Sequence, residues 1–164
     1  MTDVTVISTV YNEEDNLERI AESILCQTYT DFEWILVDDH STDATPDLLA
    51  DLESRDSRVS VDRPETRLGR AQALNHAVEL AEGKYIAQQD IDDKSYPERL
   101  KVQIDHLDAN PAIGAVGCYY EHVDRIRNEK YVRQYPTTHE EMVKALGRHI
   151  PIVHNLVTFR KAAW

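Results

Sequence analysis

The chain contains few cysteines and no long hydrophobic run. Its two cysteines, Cys26 and Cys118, are too few for a disulfide framework or a metal cluster, so we expect both to be small buried apolar residues. The longest apolar run, 113–118, has six residues, against the roughly 20 that a membrane helix needs. The first residues lack the basic and apolar stretches of a signal peptide. We therefore expect a cytoplasmic protein without an integral membrane segment, with peripheral membrane association left open.

Positive charge is also scarce. The 164 residues include 30 acidic side chains but only 18 lysines and arginines, which gives a formal net charge of −12. Such a field repels phosphates, so nucleic acid is not an expected partner. The low lysine content is typical of a salt-adapted surface, and an ordinary acidic protein shows it too. Length and composition are those of one globular domain over 1–164.

Apolar segments with strand and helix periods alternate along the chain. The patterns predict strands over 4–10, 32–37, 59–61, 85–87 and 113–119, with a short edge strand over 131–135 and another strand over 156–159. Five helices are predicted, and the first covers 17–25. The second has Thr45 as its N-cap, and the third covers 69–82 with Leu74, Val78 and Ala81 on its buried face. The fourth starts at Pro97, and the capping box 138–141 opens the last. This alternation predicts a three-layer α/β/α fold around a mostly parallel sheet.

Polar and acidic side chains follow three of the predicted strands. Ligands of open parallel sheets bind at the carboxyl ends of the strands, so these residues are candidates for a site. They are Thr9, Tyr11, Asn12 and Glu13 after the first strand, Asp38 and Asp39 after the second, and Asp90, Asp92 and Asp93 after the fourth.

Asp90 and Asp92 are the candidates for a metal site. In extended chain, residues i and i+2 project to the same side, so both carboxylates can converge on one ion, whereas Ile91 points into the core. Hard oxygen ligands of this kind suit Mg²⁺ or Mn²⁺. An acidic chain also produces Asp-x-Asp by chance, but the position of this triplet directly after a buried strand favours a site.

Other polar residues have both a structural and a functional interpretation. Ser41 and Asp43 are expected to be turn and cap residues, whereas Asp39 is the better candidate for accepting a hydrogen bond from a base. Arg70 is either a solvated surface residue or a cation for a nucleobase or diphosphate. Among the histidines, His154 is a site candidate, and we expect surface or packing positions for His76, His106, His122, His139 and His149.

Several of these motifs occur in a familiar order. The segments Val4–Asn12, Val37–Asp43, Gly69–Asn75 and Gly83–Asp93 resemble the corresponding motifs of the family-two glycosyltransferases, which have the GT-A fold. The match runs continuously over residues 3–110. Pro151–Arg160 also resembles the stretch that precedes the catalytic acidic motif of the family.

The resemblance implies a Rossmann-like GT-A architecture and a nucleotide-diphosphate sugar as donor, of the UDP or TDP type. It implies that Thr9, Tyr11, Asp39 and Arg70 match positions that hold the nucleotide, with Glu13 in the same loop. Asp90 and Asp92 occupy the D-x-D motif, where Mg²⁺ or Mn²⁺ is held against the diphosphate. The implied reaction is sugar transfer with inversion to a hydroxyl of a glycan or lipid-linked acceptor.

The chain departs from the family pattern at two places. His40 stands where the family usually has glycine, and histidine tolerates left-handed backbone better than most residues. No match to the acidic segment that carries the catalytic base is present, so no catalytic residue is assigned. We therefore expect the donor-binding part of a longer enzyme, incomplete at its C-terminus, that binds donor but transfers it poorly alone. The alternatives are a non-catalytic nucleotide-sugar-binding module and, less well supported, a phospho-acceptor receiver domain.

Overall fold

A computed structural model of the protein describes residues 2–124, 126–148 and 150–164, so His149 lies outside the described residues. Within these ranges there are eight strands: β1 (Val4–Val10), β2 (Phe32–Asp38), β3 (Val59–Asp62), β4 (Tyr85–Gln88), β5 (Ala115–Val116), β6 (Tyr120–Asp124), β7 (Glu129–Arg133) and β8 (Thr158–Arg160). Six of them form the central sheet in the order β3-β2-β1-β4-β8-β5, and β6 and β7 pair separately. The strands β3, β2, β1 and β4 are parallel, whereas β8 is antiparallel to both β4 and β5.

Helices cover both faces of the central sheet. They are α1 (Leu17–Leu25), α2 (Thr45–Arg55), α3 (Arg70–Leu80) and α4 (Arg99–Ala109). A further helix, α5 (His139–Ala145), follows the β6–β7 hairpin, and short 3₁₀ turns lie at His154–Leu156 and Lys161–Ala163. One core cluster joins β1 and β2 to α1, α2 and α4, and a second joins the opposite face to α3. The predicted three-layer α/β/α fold with a mostly parallel sheet is therefore confirmed. Within the described ranges, no helix has the length and apolarity to span a membrane.

The two faces of β1 explain this layering. Val4, Val6 and Val10 belong to the larger core, whereas Ile7 belongs to the core beneath α3. Successive side chains of a strand point to opposite faces of the sheet, so even-numbered and odd-numbered positions of β1 enter different cores. The α3 face presents small residues, with Ala73 and Ala77 fully buried. Small side chains let the helix lie close to the sheet. The predicted buried face is confirmed: Val78 and Ala81 are buried in this core, and Leu74 is half-buried and packs against it.

Two predicted helix starts were wrong because distant residues set them. Thr45 is the first residue of α2 and not its N-cap, and its hydroxyl accepts a hydrogen bond from the backbone N–H of Glu13 at 2.8 Å. The fourth helix begins at Arg99 and not at Pro97. The Gln27 side chain accepts the N–H of Leu100 at 3.0 Å, which supplies this helix with a cap from another part of the chain.

The second half of the chain differs more from the predictions. The fifth strand covers only Ala115–Val116, because the chain leaves the sheet to form the β6–β7 hairpin, and the predicted edge strand over 131–135 is β7, over 129–133. The capping box at Thr138 is confirmed, with reciprocal bonds to Glu141. Cys26 is exposed and Cys118 is partly buried, so the expectation of two buried cysteines was wrong for Cys26.

Candidate active site

The candidate site lies where loops leave the carboxyl ends of β1, β2 and β4. In the parallel pairs, Val10 lies opposite Asp38 and Ile7 lies opposite Gln88. The three following loops therefore emerge at one edge of the sheet, the edge at which open α/β sheets bind ligands. The start of α3 reaches the same edge.

Thr9 and Tyr11 are at the end of β1. Thr9 is half-buried and lies opposite Val37 in β2. Tyr11 is 39% exposed, and the guanidinium of Arg67 lies 3.8 Å from the centre of its ring. This cation–π contact fixes the orientation of an exposed aromatic face at the edge of the site.

The loop after β1 is tied to the loop after β2. The backbone N–H of Asn12 donates to Ser41 Oγ at 3.0 Å, and that of Glu13 donates to the Thr45 hydroxyl. The Glu13 carboxylate accepts from Asn16 Nδ2 at 2.8 Å, at the start of α1. Glu13 therefore shapes its loop through both its backbone and its side chain.

Two residues of these loops have left-handed backbone. Asn12 has φ +56° and His40 has φ +68°, and both residue types tolerate this region better than most. His40 therefore adopts the left-handed backbone that histidine tolerates, and its Nε2 atom lies 2.8 Å from the carbonyl oxygen of Pro64. Asp43 accepts the N–H of Thr45 at 3.0 Å, which confirms its predicted turn role.

Asp38 is a structural carboxylate. Its side chain is buried, accepts the N–H of Ser41 at 2.9 Å and pairs with Arg63 at 2.7 Å. A buried carboxylate with a cation and an amide donor is electrostatically satisfied. We therefore do not place it among the ligand-binding groups.

Asp39 joins the β2 loop to the segment before α3. Its two oxygens accept the backbone N–H groups of Leu68 and Gly69 at 2.6 and 2.9 Å, and Arg67 Nε lies 3.6 Å away. Gly69 has φ +78°, a conformation that suits glycine. Only the remaining lone pairs of Asp39 are available to a base, so any such contact would be made by a carboxylate that is already held in place.

Arg70 connects this segment to the acidic turn after β4. It follows Gly69 directly, and its Nη2 atom donates to Asp90 Oδ2 at 2.5 Å. The same atom lies 3.0 Å from Nε2 of His154, so this site candidate lies beside Arg70 in the structure. Asp39, Gly69, Arg70 and Asp90 therefore form one continuous chain of contacts across the site.

The structure brings three carboxylates together at the acidic turn. Oxygens of Asp90, Asp92 and Asp93 lie within 4.8 Å of one another. Asn155 donates to the carboxylate of Asp93, and Arg19 donates to the backbone carbonyl of Asp92 at 2.9 Å. Burial, together with the negative charges of Asp92 and Asp90, raises the pKa of Asp93. Since mutual repulsion disfavours the ionised cluster, a cation would be stabilised here, and three hard oxygen donors fit Mg²⁺ or Mn²⁺.

A buried glutamine shapes the acidic turn from below. Gln89 is fully buried, and its Nε2 group donates to the carbonyls of Asp90 and Asp93 at 2.8 and 2.5 Å. Its Oε1 atom accepts from Ser95 Oγ at 2.6 Å, and its backbone carbonyl accepts from Ser8 Oγ at 2.7 Å. Gln89 therefore fixes the turn that carries the carboxylates.

Sequence reasoning missed four residues that order the site: Arg19, Arg67, Gln89 and Asn155. Gln89 carried a usable signal, since it is a polar residue that directly follows a buried strand and precedes the acidic turn. The contacts of Arg19 and Asn155 with the acidic turn join residues 62 or more positions apart in the chain. Spacing within a motif cannot show such pairs.

Comparison with known proteins shows which family the chain belongs to. The family model described as Glycosyl transferase family 2 matches residues 5–164, and the chain belongs to this family. EpsE of Bacillus subtilis (strain 168) is 35% identical over 162 residues, which cover 98% of this chain and 57% of EpsE. Escherichia coli WfaP, named UDP-Glc:alpha-D-GlcNAc-diphosphoundecaprenol beta-1,3-glucosyltransferase, is 34% identical over 117 residues, 71% of this chain and 46% of WfaP.

Solved structures agree with the fold. The mannosyltransferase PcManGT from Pyrobaculum calidifontis, in complex with GDP-Man and Mn²⁺, superposes with a TM-score of 0.70 at 27% identity and covers 96% of this chain and 44% of its own. The GT-A architecture implied by the motifs is therefore confirmed, and a receiver domain is excluded. The chain spans about half the length of the curated relatives that it matches.

Proposed function

We propose that this chain is the donor-binding part of an inverting glycosyltransferase that transfers a sugar from a nucleotide-diphosphate sugar to an acceptor hydroxyl with a divalent cation. The observation that carries the proposal is the continuous chain of contacts from Asp39 through Gly69 and Arg70 to the three carboxylates. It places a hydrogen-bond acceptor, a guanidinium and a hard-oxygen cluster in sequence along one sheet edge. A nucleoside diphosphate presents a base, a diphosphate and its metal ion in the same order.

Each predicted residue has a role in this proposal. Thr9, Tyr11 and Asp39 hold the nucleoside, Glu13 shapes the loop beside it, and Arg70 donates to the diphosphate. Asp92 and Asp90 would hold the cation, with Asp93 next to them. Mg²⁺ or Mn²⁺, when bound, supplies positive charge that stabilises the departing diphosphate.

Inversion requires a carboxylate that removes the proton of the acceptor hydroxyl. The site described above contains no carboxylate that we assign to this role. The base, the acceptor and the activity of the whole protein are therefore parts of the proposal that rest on family membership.

The relatives support a nucleotide-sugar donor. The name of WfaP specifies UDP-Glc, and the structure of PcManGT is that of its complex with GDP-Man and Mn²⁺. We propose a uridine or thymidine nucleotide for this chain, because the motifs around Asp39 and Arg70 resemble those of enzymes that use such donors.

A calorimetric titration tests the proposal directly. UDP, dTDP, CDP and GDP are titrated into the chain with and without Mn²⁺, and the heat of mixing Mn²⁺ with each nucleotide is subtracted. We expect saturable binding of UDP or dTDP that strengthens with Mn²⁺, and a rise in the melting temperature, because a ligand of the folded state alone stabilises it. A chain that binds none of the four nucleotides at millimolar concentration would refute the proposal.

Asp39→Ala is expected to reduce the discrimination between UDP and CDP. The variant loosens the segment at Leu68 and Gly69, which weakens the binding of both nucleotides. Only a base that has an N–H at the contact position loses a hydrogen bond as well. The ratio of the two affinities, measured by calorimetry, should therefore fall by about tenfold to a hundredfold, which corresponds to one hydrogen bond to a charged acceptor. Equal losses for UDP and CDP would restrict Asp39 to its structural role.

A further inference from the structure

The ion pair between Arg70 and Asp90 uses an oxygen of the acidic cluster. Arg70 Nη2 donates to Asp90 Oδ2 at 2.5 Å, and the Arg70 side chain is 56% exposed against 15% for Asp90. Among the described residues, Arg70 is the only lysine or arginine within ion-pair distance of Asp90, Asp92 or Asp93. Arg19 also acts on Asp93 through its charge, but its bond is to the Asp92 carbonyl, so the described carboxylates of the cluster have one ion pair, and it involves a solvent-exposed side chain.

The Arg70 guanidinium and a bound divalent cation would compete for Asp90 Oδ2. Like charges a few ångströms apart repel, so a divalent ion held by Asp90 and Asp92 would be destabilised by a guanidinium on Asp90. In the part of the chain that the structure describes, few other contacts hold the Arg70 side chain at Asp90. Its other close polar neighbour is Nε2 of His154 at 3.0 Å, an imidazole nitrogen that accepts a hydrogen bond only when neutral.

We propose that Arg70 competes with the divalent cation for Asp90, and that a nucleoside diphosphate relieves this competition by drawing Arg70 to its phosphates. This inference rests on the proposed function and adds a coupling between two of its ligands. A planar guanidinium forms paired hydrogen bonds to phosphate, so a diphosphate at this edge offers Arg70 a better partner than one carboxylate oxygen. Its departure leaves Asp90 Oδ2 available to the cation.

The coupling has a consequence that direct contact between metal and phosphate does not predict. Metal–phosphate contact strengthens metal binding only when nucleotide is present, whatever residue stands at position 70. Competition by Arg70 also weakens metal binding when nucleotide is absent. Removing the arginine should therefore tighten metal binding to the protein alone and reduce the further gain that nucleotide provides, since coupling is reciprocal.

The test is a Mn²⁺ titration followed by electron paramagnetic resonance, in which the signal of free Mn²⁺ reports the bound fraction. Without nucleotide, Arg70→Ala and Arg70→Gln should bind Mn²⁺ about twofold to fivefold more tightly than the original chain, the range of an exposed ion pair. With saturating UDP, the ratio of Mn²⁺ affinities with and without nucleotide should fall in both variants. UDP affinity measured without metal should fall as well.

Arg55→Ala is the matched control, because it removes the same charge from an exposed ion pair with Glu18 that lies outside the site. It should leave the Mn²⁺ affinity within error of the original chain. Mn²⁺ binding that is unchanged or weaker in both Arg70 variants would overturn the competition while leaving the proposed function intact. Absence of Mn²⁺ binding by the original chain, with and without UDP, would overturn the competition and the proposed metal site together.

Discussion

Replacing Asp92 with asparagine is expected to weaken Mn²⁺ binding in the presence of UDP by about tenfold to a hundredfold. Removing a group that only holds a metal ligand in place already costs this much, and Asp92 is expected to be a ligand itself. Asp92 is exposed, and its carboxylate makes no hydrogen bond to another side chain in the described ranges, so it is free to coordinate. Asparagine keeps the shape of the side chain but removes the negative charge and one strong ligand oxygen. Calorimetry with Mn²⁺ and UDP measures the change.

The stability of the same variant separates ligand loss from unfolding. Among the described residues, the Asp92 carboxylate bonds to no other side chain, and it adds to the repulsion at Asp93. Asp92→Asn should therefore leave the free energy of unfolding within about 0.5 kcal/mol of the original, the usual range for a surface change. Asp31→Asn is a charge-matched control at the opposite edge of the sheet, before β2. It should affect neither property, and an Asp92→Asn variant with undiminished Mn²⁺ binding would remove Asp92 from the site.

Asp90→Asn has a mixed effect that follows from its ion pair. It loses a ligand oxygen, but it also weakens the hold on Arg70, whose guanidinium lies 2.5 Å from Asp90. The loss of Mn²⁺ affinity should therefore be smaller than for Asp92, in line with the expectation that Asp92 is the more important ligand.

The strands and the layering could be predicted because local pattern determines them. The run of β-branched residues over 4–10 forms a strand that is buried on both faces, and β1 has the predicted bounds. The helix 17–25 is also as predicted, since its buried residues recur with the period of one helical face. Such elements depend little on distant partners.

Helix starts and the support of the site could not be predicted in the same way. Gln27 caps α4 from a position more than 70 residues earlier, which is why Pro97 was a misleading start signal. Arg99 is an ordinary charged residue in the sequence, yet it is buried, donates to the carbonyl of Gln88 at 3.1 Å, and burial lowers its pKa to about 10. These contacts depend on the packing of whole elements.

The carboxylates themselves were predictable, but their geometry was not. The spacing of Asp90 and Asp92 indicates convergence, and the structure places their oxygens together with Asp93. The sequence offers no sign that Asp39 holds the amides of Leu68 and Gly69, because those groups meet only when β2 and the segment before α3 pack together.

Replacing Gln89 with methionine is expected to destabilise the fold by about 2–4 kcal/mol, because its apolar replacement leaves buried polar groups without partners. Methionine has nearly the same length, so the change tests hydrogen bonding more than volume. The carbonyls of Asp90 and Asp93 lose a donor, and Ser95 Oγ loses an acceptor at 2.6 Å. For a domain of this size, this loss lowers the melting temperature by roughly 5–15 °C.

The same substitution should also weaken Mn²⁺ binding, although all three carboxylates remain. The turn over 90–93 takes its shape from Gln89, and a ligand group that is no longer held in place typically costs metal affinity about tenfold or more. Gln134→Leu is the control for removing a glutamine amide, since Gln134 is exposed on the segment after β7. Urea unfolding and Mn²⁺ titration are measured on both variants at a temperature where each is folded. If Gln89→Met matched this control in both measurements, the turn would owe its shape to the backbone alone; a loss of stability with intact Mn²⁺ affinity would limit Gln89 to the fold.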